Sequence, residues 1–147
     1  MSQTEDHRQA TLTGGDRVLL IVSAAGLLLL LVVAALVEPD RRGFGTHQQF
    51  GLPPCSVRVL FGIRCPTCGM TTAWACLVRG QVTDAFRANV GGAVLGMLAV
   101  VAVGWFLLCA WRGRWVGWVP NNVVVASGAV VIALITIVDW IIRLIAG

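Results

Sequence analysis

The stretch VLLIVSAAGLLLLLVVAALV, which occupies residues 18–37, decides the fold of this chain. It contains 20 residues and no charged side chain, and about 20 apolar residues are needed for an α-helix to cross the hydrocarbon core of a bilayer. The apolar core of a cleavable signal peptide is shorter, roughly 7 to 15 residues, and no A-x-A cleavage pattern closes this run. We therefore predict that residues 18–37 stay in the membrane as the first span.

Two further apolar runs predict two more spans. Residues 90–110 carry no charge and lead into the sequence WRGRW, whose arginines between tryptophans are typical of a membrane interface. Residues 123–145 are apolar except for Ser127, Thr136, Asp139 and Arg143. The pattern predicts an all-α membrane protein with three transmembrane helices, at about residues 18–37, 90–110 and 123–145.

The composition excludes an ordinary soluble domain. Hydrophobic residues make up 57% of the chain and charged residues 12%, and the mean hydropathy is +0.83. Residues 1–16 are polar and carry charges of both signs, which predicts a short, poorly ordered tail. We expect residues 17–147 to form a single membrane domain, whose long first loop covers residues 38–89.

All the basic charge comes from arginine: the chain has eleven arginines, no lysine and a net charge of +4. These arginines flank the predicted spans and form no single basic stripe, which favours anionic lipid headgroups over nucleic acid as the partner. The tail and second loop hold four of them, and the first loop and C-terminus hold seven. By the positive-inside tendency, this count predicts a cytoplasmic first loop and an external N-terminus.

The first loop contains an apolar segment that is too short to cross the membrane. Residues 38–42, which read EPDRR, end the first span because proline and four charges cannot continue into hydrocarbon. Residues 69–78 are apolar but only ten residues long. We predict that they form an interfacial or re-entrant half-helix that carries a C-x-x-C motif at its start.

The motif CPTCG, residues 65–69, is the strongest candidate for chemistry, and Cys55 precedes it by ten residues. The turn between Cys65 and Cys68 aims two sulfur atoms at one point, the spacing of a zinc knuckle. A tetrahedral zinc site needs two more ligands, and we predict Cys55 and His47 for these positions.

Two other interpretations of the motif remain open. A cysteine at a helix N-terminus gains thiolate character, so Cys65 and Cys68 are also candidates for thiol–disulfide exchange, although no thioredoxin-like βαβ pattern surrounds them. Alternatively, the cysteines pack in an apolar interior or form a structural disulfide, with Pro66 and Gly69 shaping the entry into a helix. Cys76 and Cys109 lie in apolar helical sequence, where we expect packing alone.

Two pairs of residues in the spans are candidates for structural roles. Asp139 and Arg143 lie four residues apart near the end of the third span, a spacing that predicts an ion pair with Arg143 reaching the headgroups. Gly92 and Gly96 leave a flat strip on the second span that permits close approach of another helix. We expect this strip to pack against the first or third span rather than form a homodimer seam.

The motif and its surroundings resemble the domain-of-unknown-function 2752 family of small bacterial membrane proteins. The resemblance covers about residues 47–92 and rests on Cys55-x9-Cys65-Pro66-Thr67-Cys68-Gly69-Met70-Thr71, followed by Arg79-Gly80 and Asn89. In that family a glycine near the position of Gly62 precedes the sequence C-P-x-C-G-x-T-R, and Thr72 departs from it by replacing the arginine. The resemblance implies a functional centre at the cysteines and motif positions at Gly62, Pro66, Gly69, Thr71, Gly80 and Asn89.

The resulting expectation is a multi-pass protein of the bacterial inner membrane with no assigned activity. Its cysteine loop is predicted to bind zinc, or to contact a membrane or protein partner through the half-helix or the Gly92/Gly96 strip. The first alternative is a membrane thiol–disulfide oxidoreductase. The second is a purely structural or assembly subunit, so the sequence leaves open whether the chain is an enzyme.

Overall fold

In the computed structural model, residues 11–117, 119 and 121–145 are described. They form six α-helices and one 3₁₀ helix, Thr46–Phe50, and contain no strand apart from an isolated bridge between Thr11 and Arg114. The helices are α1 (Gly14–Leu36), α2 (Ser56–Phe61), α3 (Met70–Leu77), α4 (Val82–Ala88), α5 (Val90–Arg112) and α6 (Asn122–Ile145).

The three long helices α1, α5 and α6 have the length and apolar composition needed to cross a membrane, which confirms the predicted all-α membrane protein with three spans. The first of them begins earlier than predicted. The Thr13 side chain accepts a hydrogen bond from the Asp16 amide, and the Asp16 carboxylate accepts one from the Thr13 amide. This capping box starts α1 at Gly14, inside the range predicted as a tail, whose residues 1–10 lie outside the described residues.

Helices α1 and α5 run antiparallel and pack along their lengths. At one end of the pair, the Arg17 Nε donates to the Ala110 carbonyl at 2.9 Å, and the Leu12 amide donates to the Gly113 carbonyl at 3.0 Å. At the other end, the Arg79 guanidinium donates to the Ala35 carbonyl at 3.0 Å, which ties the last turn of α1 to the segment after α3. We call this second end, where α1 ends and α5 begins, the cysteine end.

The glycine strip of α5 lies against α3, not against the first or third span. A Cβ atom added at Gly96 would lie 2.6 Å from the Leu77 side chain and 3.2 Å from that of Trp74. One added at Gly92 would lie 3.0 Å from Met70, and the Trp74 indole donates to the Gly92 carbonyl at 3.0 Å. The missing side chains therefore make room for α3, so that the strip serves contacts within the chain.

Helix α6 is anchored at the cysteine end by Arg143. Its guanidinium pairs with Asp139 at 2.9 Å and also donates to two carbonyls at the end of α4, those of Arg87 at 2.7 Å and Ala88 at 3.1 Å. Reaching the headgroups is therefore not its only role, because the side chain also caps α4. The sequence spacing alone predicted the ion pair but not the helix that Arg143 caps.

Candidate metal centre

The cysteine site is built by the chain between α2 and α3. Cys55 is the residue that precedes α2, and Gly62, with φ of 69°, ends this helix after two turns. The chain then returns to Cys65 and Cys68, which lie in the turn before α3. This path brings the sulfur atoms of all three cysteines within 4.8 Å of one another.

The turn that carries Cys65 and Cys68 depends on Gly69. The Cys68 amide donates to the Cys65 carbonyl at 3.0 Å, and Gly69 follows with φ of 95°, a left-handed conformation that other residues rarely adopt. A Cβ atom at this position would lie 2.5 Å from the Ala88 carbonyl oxygen and 2.6 Å from that of Gly43. Glycine is therefore required at this position both for the backbone angle and for the close approach of two other segments.

Asn89 holds the cysteine turn against the start of α5. Its side-chain amide donates to the carbonyls of Pro66 at 2.9 Å and Cys68 at 3.2 Å, and its side-chain oxygen accepts from the Gly92 amide at 2.6 Å. One buried side chain thus caps a span and fixes the motif at the same time. The resemblance marked Asn89 as a motif position, but residue spacing contained no signal for these partners.

The thiols of Cys65 and Cys68 differ in environment. The Cys65 and Cys68 sulfur atoms are 3.0 Å apart, and the Thr67 hydroxyl lies 3.3 Å from Cys65. Burial raises the pKa of Cys65, but its side-chain hydrogen bonds with Cys68, Thr67 and Cys55 outweigh that effect and lower the pKa below its usual value. Burial and the hydrogen bond with Cys65 raise the pKa of Cys68 to about 12. Cys65 is therefore the first of the two to become a thiolate.

The cysteines line an open cavity of about 780 Å³. His47, the predicted fourth ligand, lines the same cavity but is not among the residues whose ligand atoms lie within 4.8 Å of one another. Thr71 also lines it, and Gly80, with φ of 74°, lies in the turn between α3 and α4. The structure thus brings three of the four predicted metal ligands into one cluster and places the fourth on the wall beside it.

A buried threonine pair supports the site and was missed by sequence reasoning. The hydroxyl groups of Thr46 and Thr72 lie 2.8 Å apart, with the two residues 0% and 2% exposed. This hydrogen bond joins the 3₁₀ helix to α3, and so holds the His47 segment over the cysteine turn. Position 72 is where the sequence departs from the family motif, and here it serves packing between two segments.

The three sulfur atoms lie close enough together to hold one metal ion. Three sulfur atoms around one tetrahedral zinc ion are roughly 3.8 Å apart, as Zn–S bonds of about 2.3 Å require. Here the Cys65 and Cys68 sulfur atoms are 3.0 Å apart, and all three lie within 4.8 Å of one another. The donor set is also chemically suitable, since thiolates are preferred ligands of zinc. The other two cysteines do not belong to the cluster. Cys76 and Cys109 are 4% and 0% exposed and lie in the apolar core.

Comparison with known proteins finds a similarity over the same region. No curated protein and no solved structure matches the chain. A family model does match, over residues 55–112, from the first cysteine of the cluster to the last residue of α5. This match confirms the resemblance that the cysteine motif predicts, to the family described as Protein of unknown function (DUF2752).

Proposed function

We propose that this membrane protein binds one zinc ion through Cys55, Cys65 and Cys68 at the cysteine end of its spans. The observation that carries the proposal is the convergence of three sulfur atoms, each within 4.8 Å of the others, from two separate parts of the first loop. Cysteines that only fill an apolar interior are not expected to bring their sulfur atoms together from the two ends of α2. The site lies outside the long helices, where a metal ion reaches it from water.

The fourth ligand decides what the zinc ion does. If the side chain of His47 turns toward the cluster, four protein ligands close the site, and zinc then holds the 3₁₀ helix, α2 and α3 together. If His47 remains on the cavity wall, a water molecule or a partner's side chain completes the tetrahedron. The chain would then use zinc to recruit a membrane or protein partner at this surface.

The distribution of arginines supports a cytoplasmic position for this site. Seven arginines belong to the cysteine end, in the first loop and at the end of α6, and three described arginines, Arg17, Arg112 and Arg114, belong to the opposite end. The positive-inside tendency therefore orients the site toward the cytoplasm of a bacterial inner membrane. Thiols are kept reduced there, and reduced thiols are the form that binds zinc.

The test measures metal in the full chain purified in mild detergent. We expect about one zinc ion per chain, lost in the Cys68→Ser variant. Cys109→Ala is the matched control, because Cys109 lies in α5 at the opposite end and should leave the zinc content unchanged. A chain that contains no zinc after purification without chelators, and takes up none on addition, would contradict the proposal.

A second candidate function is thiol–disulfide exchange, and the 3.0 Å separation of the Cys65 and Cys68 sulfur atoms favours it. Closing this disulfide releases two electrons and two protons, which a disulfide of another protein would accept. In this case, the metal-free chain should form a reversible disulfide at a defined potential. Because its pKa is lowered, Cys65 should react with iodoacetamide at lower pH than Cys68. Equal reactivity of the two thiols, with no disulfide formed, would exclude this function.

A further inference from the structure

A second, basic cavity lies between α2 and the end of α6. Its volume is about 600 Å³, and Arg58, Arg64 and Arg143 all contribute to its wall. Gly62, Ile63, Trp140 and Leu144 complete the lining, so no carboxylate lines it among the described residues. The cavity is separate from the cysteine site in all of these residues except Arg58, which lines both.

Two of these arginines have no counter-charge among the residues that the structure describes. Arg143, the third arginine of this wall, pairs with Asp139. Arg42, which does not line the cavity, pairs with Asp40 at 2.6 Å. Arg58 and Arg64 form no ion pair with any described residue; instead, their guanidinium groups lie 3.6 and 4.6 Å from the centre of the Phe44 ring. The ring offsets part of the repulsion between these cations, and an anion bound between them would relieve the rest.

The helix beside the cavity presents an apolar surface. Helix α2 has no buried residue, and its side chains Val59, Leu60 and Phe61 are 66%, 74% and 71% exposed. The chain just after α2 lies next to the last two turns of α6, since the Trp140 indole donates to the Arg64 carbonyl. The last turn of a spanning helix marks the boundary between headgroups and acyl chains, so α2 lies at that depth.

We propose that this cavity binds the phosphate group of an anionic phospholipid, with its acyl chains against Val59, Leu60 and Phe61. Charge complementarity carries the proposal: Arg58 and Arg64, which form no ion pair with any described residue, line one cavity together with Arg143, and guanidinium is well matched to phosphate oxygens. The apolar face of α2 beside them fits the acyl chains of the same molecule. None of the three cysteines lines this cavity, so the lipid would contact none of the proposed zinc ligands.

The experiment is native mass spectrometry of the full chain in detergent with equal amounts of phosphatidylglycerol and phosphatidylcholine. We expect one retained phosphatidylglycerol in preference to phosphatidylcholine, and a loss of about tenfold in this preference in R58Q/R64Q. The matched control is R112Q/R114Q, which removes two arginines at the opposite end and should keep the preference. Equal retention of both lipids by the unaltered chain, or an equal loss in both variants, would overturn the proposal.

A second measurement needs no variant and separates a lipid from a soluble anion. Phosphatidylglycerol with a photoreactive headgroup should crosslink to peptides that contain residues 59–64 or Leu144. Inorganic phosphate at the same concentration should raise the melting temperature of the chain less than phosphatidylglycerol does. Crosslinks confined to α1 would overturn the proposal, and an equal shift by phosphate would assign the cavity to a soluble anion instead.

Discussion

Helices α5 and α6 are of nearly equal length, 23 and 24 residues, and both are apolar enough to span a membrane, yet their surroundings differ. A third of the most apolar stretch of α5, 33%, is buried inside the chain, against 6% for α6. The buried residues of α5 are all small: Gly91, Gly92, Ala93, Gly96, Ala99, Cys109 and Ala110. Hydropathy therefore identifies a span, whereas small residues identify the face on which it packs.

The largest expected effect comes from filling the contact between α5 and α3. In Gly96→Leu the new side chain must displace Leu77 and Trp74, and we expect a loss of about 3 kcal/mol in the free energy of unfolding, because overpacking forces both helices apart. Thermal unfolding in mild detergent measures it.

The control lies on the same helix. A Cβ atom at Gly104 would meet nothing within 4 Å, so Gly104→Leu should change stability by less than about 0.5 kcal/mol. Equal effects at the two glycines would mean that the small residues of α5 do not define its packing face.

A smaller effect is expected from releasing the end of α6. Arg143→Gln removes the ion pair with Asp139 and the hydrogen bonds to the end of α4, and we expect a loss of about 2 kcal/mol. Arg112→Gln, in the last turn of α5, is the matched control. If both variants unfold at the temperature of the unaltered chain, α6 is held by packing along its length rather than by Arg143. That result would contradict the proposed difference in packing between α5 and α6.

The smallest effect concerns the point where α5 meets α6. A Cβ atom at Gly91 would collide with the Thr136 hydroxyl, and Thr136 is the only described residue of α6 that is buried. Gly91→Ala should cost about 1 kcal/mol, and the double variant with Thr136→Ala should recover most of it. Gly128→Ala is the control, because nothing lies within 4 Å of its Cβ position. Without recovery in the double variant, the two residues are not a packing pair.

Sequence reasoning predicted the spans because each is a single continuous run whose length can be compared with the bilayer. It also predicted Cys55, Cys65 and Cys68 as ligands of one metal ion, and the structure brings their sulfur atoms within 4.8 Å of one another. It was wrong about the partner of the Gly92/Gly96 strip, which packs on α3. A flat helical face is visible in a sequence, but the element that covers it is set by the tertiary fold.

The contacts that stabilise the cysteine site could not be predicted from the sequence for the same reason. The hydrogen bond between Thr46 and Thr72 joins residues 26 positions apart. The Phe44 ring contacts the guanidinium groups of Arg58 and Arg64, which belong to later segments. Neither residue type carries a signal for such partners, since threonine and phenylalanine are common in apolar sequence. His47 shows the converse: its residue type and spacing suited a ligand, yet it stands on the cavity wall outside the cluster.

The hydrogen bonds of Asn89 have a consequence for biosynthesis. This side chain holds the carbonyls of Pro66 and Cys68, which leave the ribosome 23 and 21 residues earlier. During translation, the cysteine turn therefore emerges before the residue that locks it, and it remains unfixed until α5 begins to form. A chain truncated before Asn89 would therefore carry all three cysteines but lack the two hydrogen bonds that fix their turn to the start of the second span.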